Sequence, residues 1–169
     1  EFRHTGTDRR KWNGAYSQGQ SFLDAAVYAE GLTHSVFYEC GFHNLGEYAI
    51  ELEAGCQDNK IVKCIFRDLG GGGIQIGISS IHDVRKLRNS VDFIFEEKDV
   101  HPRTDALRNT IENCIITKVG TYWTGSYGIN VRFASHSKVR HNEIFDTHYT
   151  GIAIDEIGRA SCRERVCHR

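Results

Sequence analysis

Methionine is missing from all 169 residues, even the first, and the chain opens in mid-pattern at Phe2-Arg3-His4-Thr5-Gly6. It is therefore expected to be a fragment of a longer reading frame, at whose start no signal peptide is visible. No run of 18 apolar residues occurs, so no stretch is long enough to span a bilayer as a helix. The six cysteines lack the paired CxxC or Cys/His spacing of a zinc site. An excess of positive charge is lacking too: 21 Lys and Arg stand against 22 Asp and Glu, a net charge of −1. Nucleic-acid binding, which needs a basic face to release phosphate counterions, is disfavoured.

CIFRDLGGGGIQIG, Cys64 to Gly77, also lacks what a phosphate-binding glycine loop requires. No Lys follows the glycines, and Ile74-Gln75-Ile76 alternates apolar and polar as a strand does, where a helix N-terminus should face the anion. The same pattern recurs instead. FHNLG (Phe42 to Gly46) leads into AIEL (Ala49 to Leu52), and FRDLG (Phe66 to Gly70) into GIQI (Gly73 to Ile76). ITKVG (Ile116 to Gly120) leads into GINV (Gly128 to Val131), IFDTH (Ile144 to His148) into GIAI (Gly151 to Ile154), and FRHTG (Phe2 to Gly6) into AVYA (Ala26 to Ala29). Phe42 and Phe66 are 24 residues apart and Ile116 and Ile144 are 28 apart, a solenoid period. Phe37, Ile61, Ile111 and Val139 stand three residues ahead of Cys40, Cys64, Cys114 and Asn142 in the same register.

Each unit holds two or three short strands and cannot bury an apolar face alone, so the units must stack. The fold expected is all-β: a parallel β-helix fragment of about five coils with three loop insertions. Its inward columns are Ile50, Ile74, Ile129, Ile152; Leu52, Ile76, Val131, Ile154; and Phe42, Phe66, Ile116, Ile144. The glycines are turn punctuation, placed where positive φ or close packing excludes a side chain. Cys40, Cys64 and Cys114 share one repeat position and read as a buried stack of small, soft side chains.

IGRASCRERV (Ile157 to Val166) breaks the alternation and resembles the translation of a sequencing-library adapter. Residues 1–156 are therefore assigned to the solenoid and 157–169 to a non-native tail. Without that tail, 17 basic and 21 acidic residues remain, a net charge of −4 (21 minus 4 Arg; 22 minus 1 Glu).

Outward side chains stack as well. One row is Tyr28, Glu51, Gln75, Asn130 and Ala153, another Glu30, Glu53, Gly77, Arg132 and Asp155, and a turn column is His4, Asn44, Asp68, Lys118 and Asp146. Stacked carboxylates, amides and aromatics suit a chain of hydroxylated sugars, which demands directional hydrogen bonds along an extended path. Glu51, Gln75, Asn130 and Asp155 are taken as substrate-binding, with His148 and Tyr149 beside them. The insertions Asp8 to Asp24 (Trp12, Tyr16), Gly77 to Asn109 (His82, Asp83, His101) and Thr121 to Tyr127 (Tyr122, Trp123) are candidate binding walls. Trp123 is taken as a sugar-stacking side chain. Hydrolysis of a glycosidic bond needs two carboxyl groups. Asp68 and Asp146 share a turn position two coils, about 9.6 Å, apart, near the upper limit of an inverting pair, about 9.5 Å. They are the catalytic candidates, although Asp at such a turn also caps the backbone. Glu53 and Asp155 stand in reserve, and no metal site is expected.

ECGFHNLGEYAIELEAGCQDNKIVKCIFRDLGGGGIQIG, ITKVGTYWTGSYGINV and VRHNEIFDTHYTGIAI resemble the right-handed parallel β-helix proteins of the pectate-lyase-like superfamily. Among these they are most similar to the family 141 glycoside hydrolases of large bacterial secreted proteins. The resemblance implies a glycoside hydrolase acting on polysaccharide through two carboxylates. It also leaves open a polysaccharide lyase, using Lys118 or Arg132 with calcium, and a non-catalytic carbohydrate-binding or adhesion module. No cofactor is expected outside the lyase alternative. The implied partners are a polysaccharide or oligosaccharide and the rest of the same polypeptide, with neither nucleic acid nor membrane. The implied location is secreted, periplasmic or on the cell surface.

Overall fold

A computed structural model of the chain describes residues 2–3, 23–77, 106–155 and 161–163. His4, Trp12, Tyr16, His82, Asp83 and His101 lie outside these. The described residues contain strands and turns and no helix.

The strands form three five-stranded parallel sheets. Sheet 1 contains β1 (Phe2–Arg3), β4 (Gly41–His43), β7 (Ile65–Arg67), β11 (Ile115–Val119) and β15 (Glu143–Thr147). Sheet 2 contains β3 (Val36–Tyr38), β6 (Lys60–Val62), β10 (Thr110–Glu112), β14 (Lys138–Arg140) and β17 (Ser161–Arg163). Sheet 3 contains β2 (Ala25–Ala29), β5 (Tyr48–Leu52), β8 (Ile74–Ile76), β12 (Ile129–Arg132) and β16 (Ile152–Asp155). A fourth, two-stranded sheet pairs β9 (Ala106–Leu107) with β13 (Ala134–Ser135). Each coil runs through sheet 2, sheet 1 and sheet 3 in turn, and its successor lies one strand further along all three. This is a parallel β-helix.

The register places like residues together. Val27, Ile50, Ile74, Ile129 and Ile152 align on sheet 3, Phe2, Phe42, Phe66, Ile116 and Ile144 on sheet 1, and Phe37, Ile61, Ile111 and Val139 on sheet 2. Phe42 and Phe66 stack with centroids 4.8 Å apart and planes 3° from parallel, so the ring spacing equals the rung spacing. Almost the whole described core is a single cluster, and each Ile or Leu in it contributes about 1.5–3 kcal/mol of burial.

Asparagines bind the coils together at the wide return to sheet 2. Asn59 Nδ2 donates to Leu32 O (2.8 Å) and Asn59 Oδ1 accepts from Ser35 N (3.0 Å). One coil on, Asn109 Nδ2 donates to Cys56 O (2.9 Å) and its Oδ1 accepts from Asn59 N (3.1 Å).

The corners differ from expectation in one respect. Positive φ falls mainly on larger residues, in three columns: His34, Asp58, Arg108, His136; Glu39, Lys63, Asn113, His141; and Asn44, Asp68, Lys118, Asp146. The four consecutive glycines serve close packing instead. A Cβ on Gly70 would lie 2.3 Å from Gly46 O and one on Gly73 2.5 Å from Gly128 O, so the rungs could not approach at a side chain.

Ser161–Arg163, inside the segment set apart as non-native, runs parallel to β14, with Val139 opposite Cys162.

Candidate functional site

Sheet 3 carries the polar row that the alternation of its strands requires. Tyr28 aligns with Glu51, Glu51 with Gln75, Gln75 with Asn130, and Asn130 with Ala153. Three of these side chains are deeply buried: Glu51 is 3 % exposed, Gln75 2 % and Asn130 1 %. They form a directional relay. Asn130 Nδ2 donates to Gln75 Oε1 at 3.2 Å, and Gln75 Nε2 donates to Glu51 Oε1 at 3.4 Å. Asn130 Oδ1, at the far end, is buried with no hydrogen-bond partner.

Desolvation pushes the Glu51 carboxyl up to about 8, and the negative charges of Glu53 and Asp24 add to the effect. At neutral pH the group keeps its proton. Since Gln75 occupies Oε1, Oε2 is left to carry it. Glu53 follows two residues later, about 6.7 Å further along the chain at strand rise. Tyr28 Oη donates to Glu53 Oε2 at 3.0 Å and bonds Glu30 Oε1 as well. Partial burial, then these two carboxylates, hold the phenol proton firmly on Tyr28. A neutral carboxylic acid thus stands beside carboxylates, the division of states that acid–base chemistry uses.

The remaining candidates fall in other places. Asp68 and Asp146 occupy the left-handed corner between sheets 1 and 3, in the column where φ is positive at every described residue. Lys118 stands between them, its Nζ 3.9 Å from Asp68 Oδ1, and Arg67 Nη1 is 4.0 Å from Asp68 Oδ2. Neither aspartate belongs to the Glu51 cluster. Exposed His148 places Nδ1 3.2 Å from Val119 O. Tyr149, half-exposed, stacks on Tyr127 at 5.6 Å and 23°. Asp155 is opposite Arg132 in the register of β16 and β12.

Trp123 corrects the expectation of an exposed stacking platform. It is 5 % exposed and packs with Leu23 and the fully buried Tyr48, because the loop folds down onto the corner of sheet 3. Its neighbour Tyr122 is the exposed ring of that loop, edge-on to Trp123 at 5.1 Å. The sequence pattern places Glu51 in the outward row with Glu53 two residues on, but does not join Asp24 to them. The period-two offset between the Tyr28/Glu51 and Glu30/Glu53 rows was the available signal. Among the described residues no group of three or more His, Cys, Asp or Glu side chains is arranged to hold a metal ion.

No family profile matches the chain, and no curated protein does. A solved structure named a glycoside hydrolase is similar to it, with a TM-score of 0.67 and 26 % identity over 79 % of this chain. The chain spans 21 % of that protein's length.

Proposed function

We propose that this chain forms part of the catalytic wall of a glycoside hydrolase that cleaves a polysaccharide lying along sheet 3, with Glu51 as proton donor and Glu53 as the second carboxylate. The single observation that carries this reading is Glu51, a buried carboxyl held protonated to about pH 8 by desolvation, beside the Tyr28-bound Glu53. The similar fold of a protein named a glycoside hydrolase supports it. Glu51 donates its proton to the leaving glycosidic oxygen while Glu53 activates water. Backbone spacing of about 6.7 Å puts the pair near the inverting range of about 6.5–9.5 Å. Gln75 and Asn130 orient the acid.

Reducing ends and unsaturated products are followed with a polysaccharide panel, using this chain and longer polypeptides that contain it. Reducing ends alone are expected, and loss of Glu51 as Glu51→Gln lowers kcat by about 10²–10⁴-fold. Because the acid must be protonated, activity falls as pH rises through about 8. Unsaturated products support the lyase instead, and retention without turnover supports a binding module. A second reading, with Asp68 and Asp146 as the pair, is favoured by their shared corner position two rungs apart. Asp146→Asn abolishes turnover under that reading and leaves it near normal under the first. Carbon-13 NMR titration of Glu51 in this chain tests the raised proton affinity without any substrate.

A further inference from the structure

The loop between β11 and β12 is tied down at nearly every residue. Thr121 N and Thr121 Oγ1 donate to Leu69 O at 3.1 and 2.8 Å, and Tyr122 N and Trp123 N donate to Gly70 O at 3.1 and 2.7 Å. Ser126 N closes the loop on Trp123 O at 2.9 Å. Leu69 and Gly70 belong to the preceding coil, so the loop doubles back along the axis, against the direction in which the coils advance. The Trp123 ring extends this reach, because it joins a buried cluster with Tyr48 and Leu23, from two and three coils back. The glycine run clears the way. A side chain at Gly72 would occupy the place of the Tyr48 ring, whose Oη accepts from Tyr127 N at 3.1 Å.

This cluster borders the carboxyl site. Tyr48 lies on β5 three residues before Glu51, about 10 Å away at strand rise, and Leu23 precedes Asp24, whose charge reaches Glu51. Asp24 N donates to Glu47 Oε2 at 2.8 Å, which fastens that edge of the site to the start of β5. Trp123 is thus the anchor of a wall beside sheet 3, and Tyr122 is the ring that the wall presents. Tyr122 is 50 % exposed and stands edge-on to Trp123, at 5.1 Å and 81°. The coil of β14, β15 and β16 follows its own, so its exposure does not come from an end of the stack. A ring held by a buried neighbour and by backbone bonds on both sides has given up its freedom before a ligand arrives, which lowers the cost of binding. Tyrosine combines apolar faces with a polar tip. A pyranose has the matching division, with a C–H face and a rim of hydroxyls.

We propose that Tyr122 is the stacking platform of a sugar subsite that holds one pyranose ring of an oligosaccharide whose chain continues across sheet 3 to Glu51 and Glu53, with Trp123 as its positioning residue. The proposal rests on sheet 3 being a polysaccharide-binding face. It gives Tyr122 a part in binding and none in bond cleavage.

The test uses the whole chain carrying Trp12→Phe, in which Trp123 is the remaining tryptophan. Its emission is followed during titration with cellohexaose, xylohexaose and mannohexaose, and affinities are measured by calorimetry. A saturable change is expected with at least one of them, since the ligand would cover the ring that meets Trp123 edge-on. Tyr122→Ala should weaken that binding about tenfold, and Tyr122→Phe should hold it within about twofold, because the ring makes the platform. Ile65→Ala, which removes an exposed apolar side chain on sheet 1, should leave it unchanged. No saturable change with any of the three sugars overturns the proposal, and so does equal affinity of the parent and Tyr122→Ala or equal weakening by Ile65→Ala. The emission readout needs no Tyr122 variant to fold. Failure of the hydrolase reading looks different: Tyr122-dependent binding without release of reducing ends keeps the subsite and removes the hydrolase. Turnover with the same KM in parent and Tyr122→Ala keeps the hydrolase and removes the subsite. Where both hold, Tyr122→Ala raises KM far more than it lowers kcat.

Discussion

Glu51 belongs to the outward row of a sheet, where solvation is the default, yet it is 3 % exposed and its proton affinity rises from 4.5 to about 8. The folded chain therefore keeps a proton that the unfolded chain releases over that interval. By linkage, stability from this group is full below pH 4.5, falls as pH rises, and levels off above about 8. At roughly 1.4 kcal/mol per pKa unit the loss is on the order of 5 kcal/mol. Glu51→Gln keeps the oxygen that Gln75 bonds and cannot ionise. It should match the parent in urea unfolding near pH 4 and exceed it near pH 9 by an amount of that order. Parallel stability curves for parent and variant at both values would sink the buried-acid assignment. Glu51, Gln75 and Asn130 were recognisable from alternation as one outward row. Their burial was not, since alternation gives a side chain's direction and says nothing of what covers it. Trp123 was misjudged for the same reason: its neighbours Leu23 and Tyr48 are remote in the chain.

At the scale of the element, register was the most legible property, because a constant offset between Phe, Ile and Cys positions becomes lateral contact once strands stack in parallel. The corners were less so. Asn and Asp announce a left-handed turn, but Glu39, Lys63, Arg108 and Lys118 adopt it too, since closing three strands into a coil overrides a preference of about 1–2 kcal/mol. The asparagine ladder is the sharpest test of how the elements are joined. Asn109→Ala leaves the Asn59 N–H without a partner in a buried return, while Cys56 O keeps its bond from Leu107 N. At about 1–3 kcal/mol for an unpaired buried group, a loss of that size is expected in denaturant midpoints. Ser137, in the same column one coil further on, has a buried hydroxyl with no partner. Ser137→Ala should change stability by less than about 0.5 kcal/mol or raise it. Equal losses for the two variants would show that the column acts through packing alone.

For the molecule as a whole, each coil touches only its neighbours, so stability is a sum of rung terms and nearest-neighbour contacts, and a disturbance at one rung decays along the stack. This makes the strand Ser161–Arg163 informative. It lies outermost in sheet 2 and pairs only with β14, whereas β14 also pairs with β10. Truncation after Glu156 uncovers one side of β14 and leaves the β6 to β12 rungs with all their partners. Amide hydrogen exchange should therefore accelerate in β14 alone, with protection in β7, β8 and β11 unchanged. That outcome fits a segment that docks on the solenoid without being needed for it, as the break in alternation at Ile157 implies. Global loss of protection would mean that the stack propagates stability beyond adjacent coils and that residues 157–169 are integral to the fold. The same decay bears on the carboxyl site: Glu51 and Glu53 belong to the coil of β5, flanked by β2 and β8, so their geometry should survive the truncation intact.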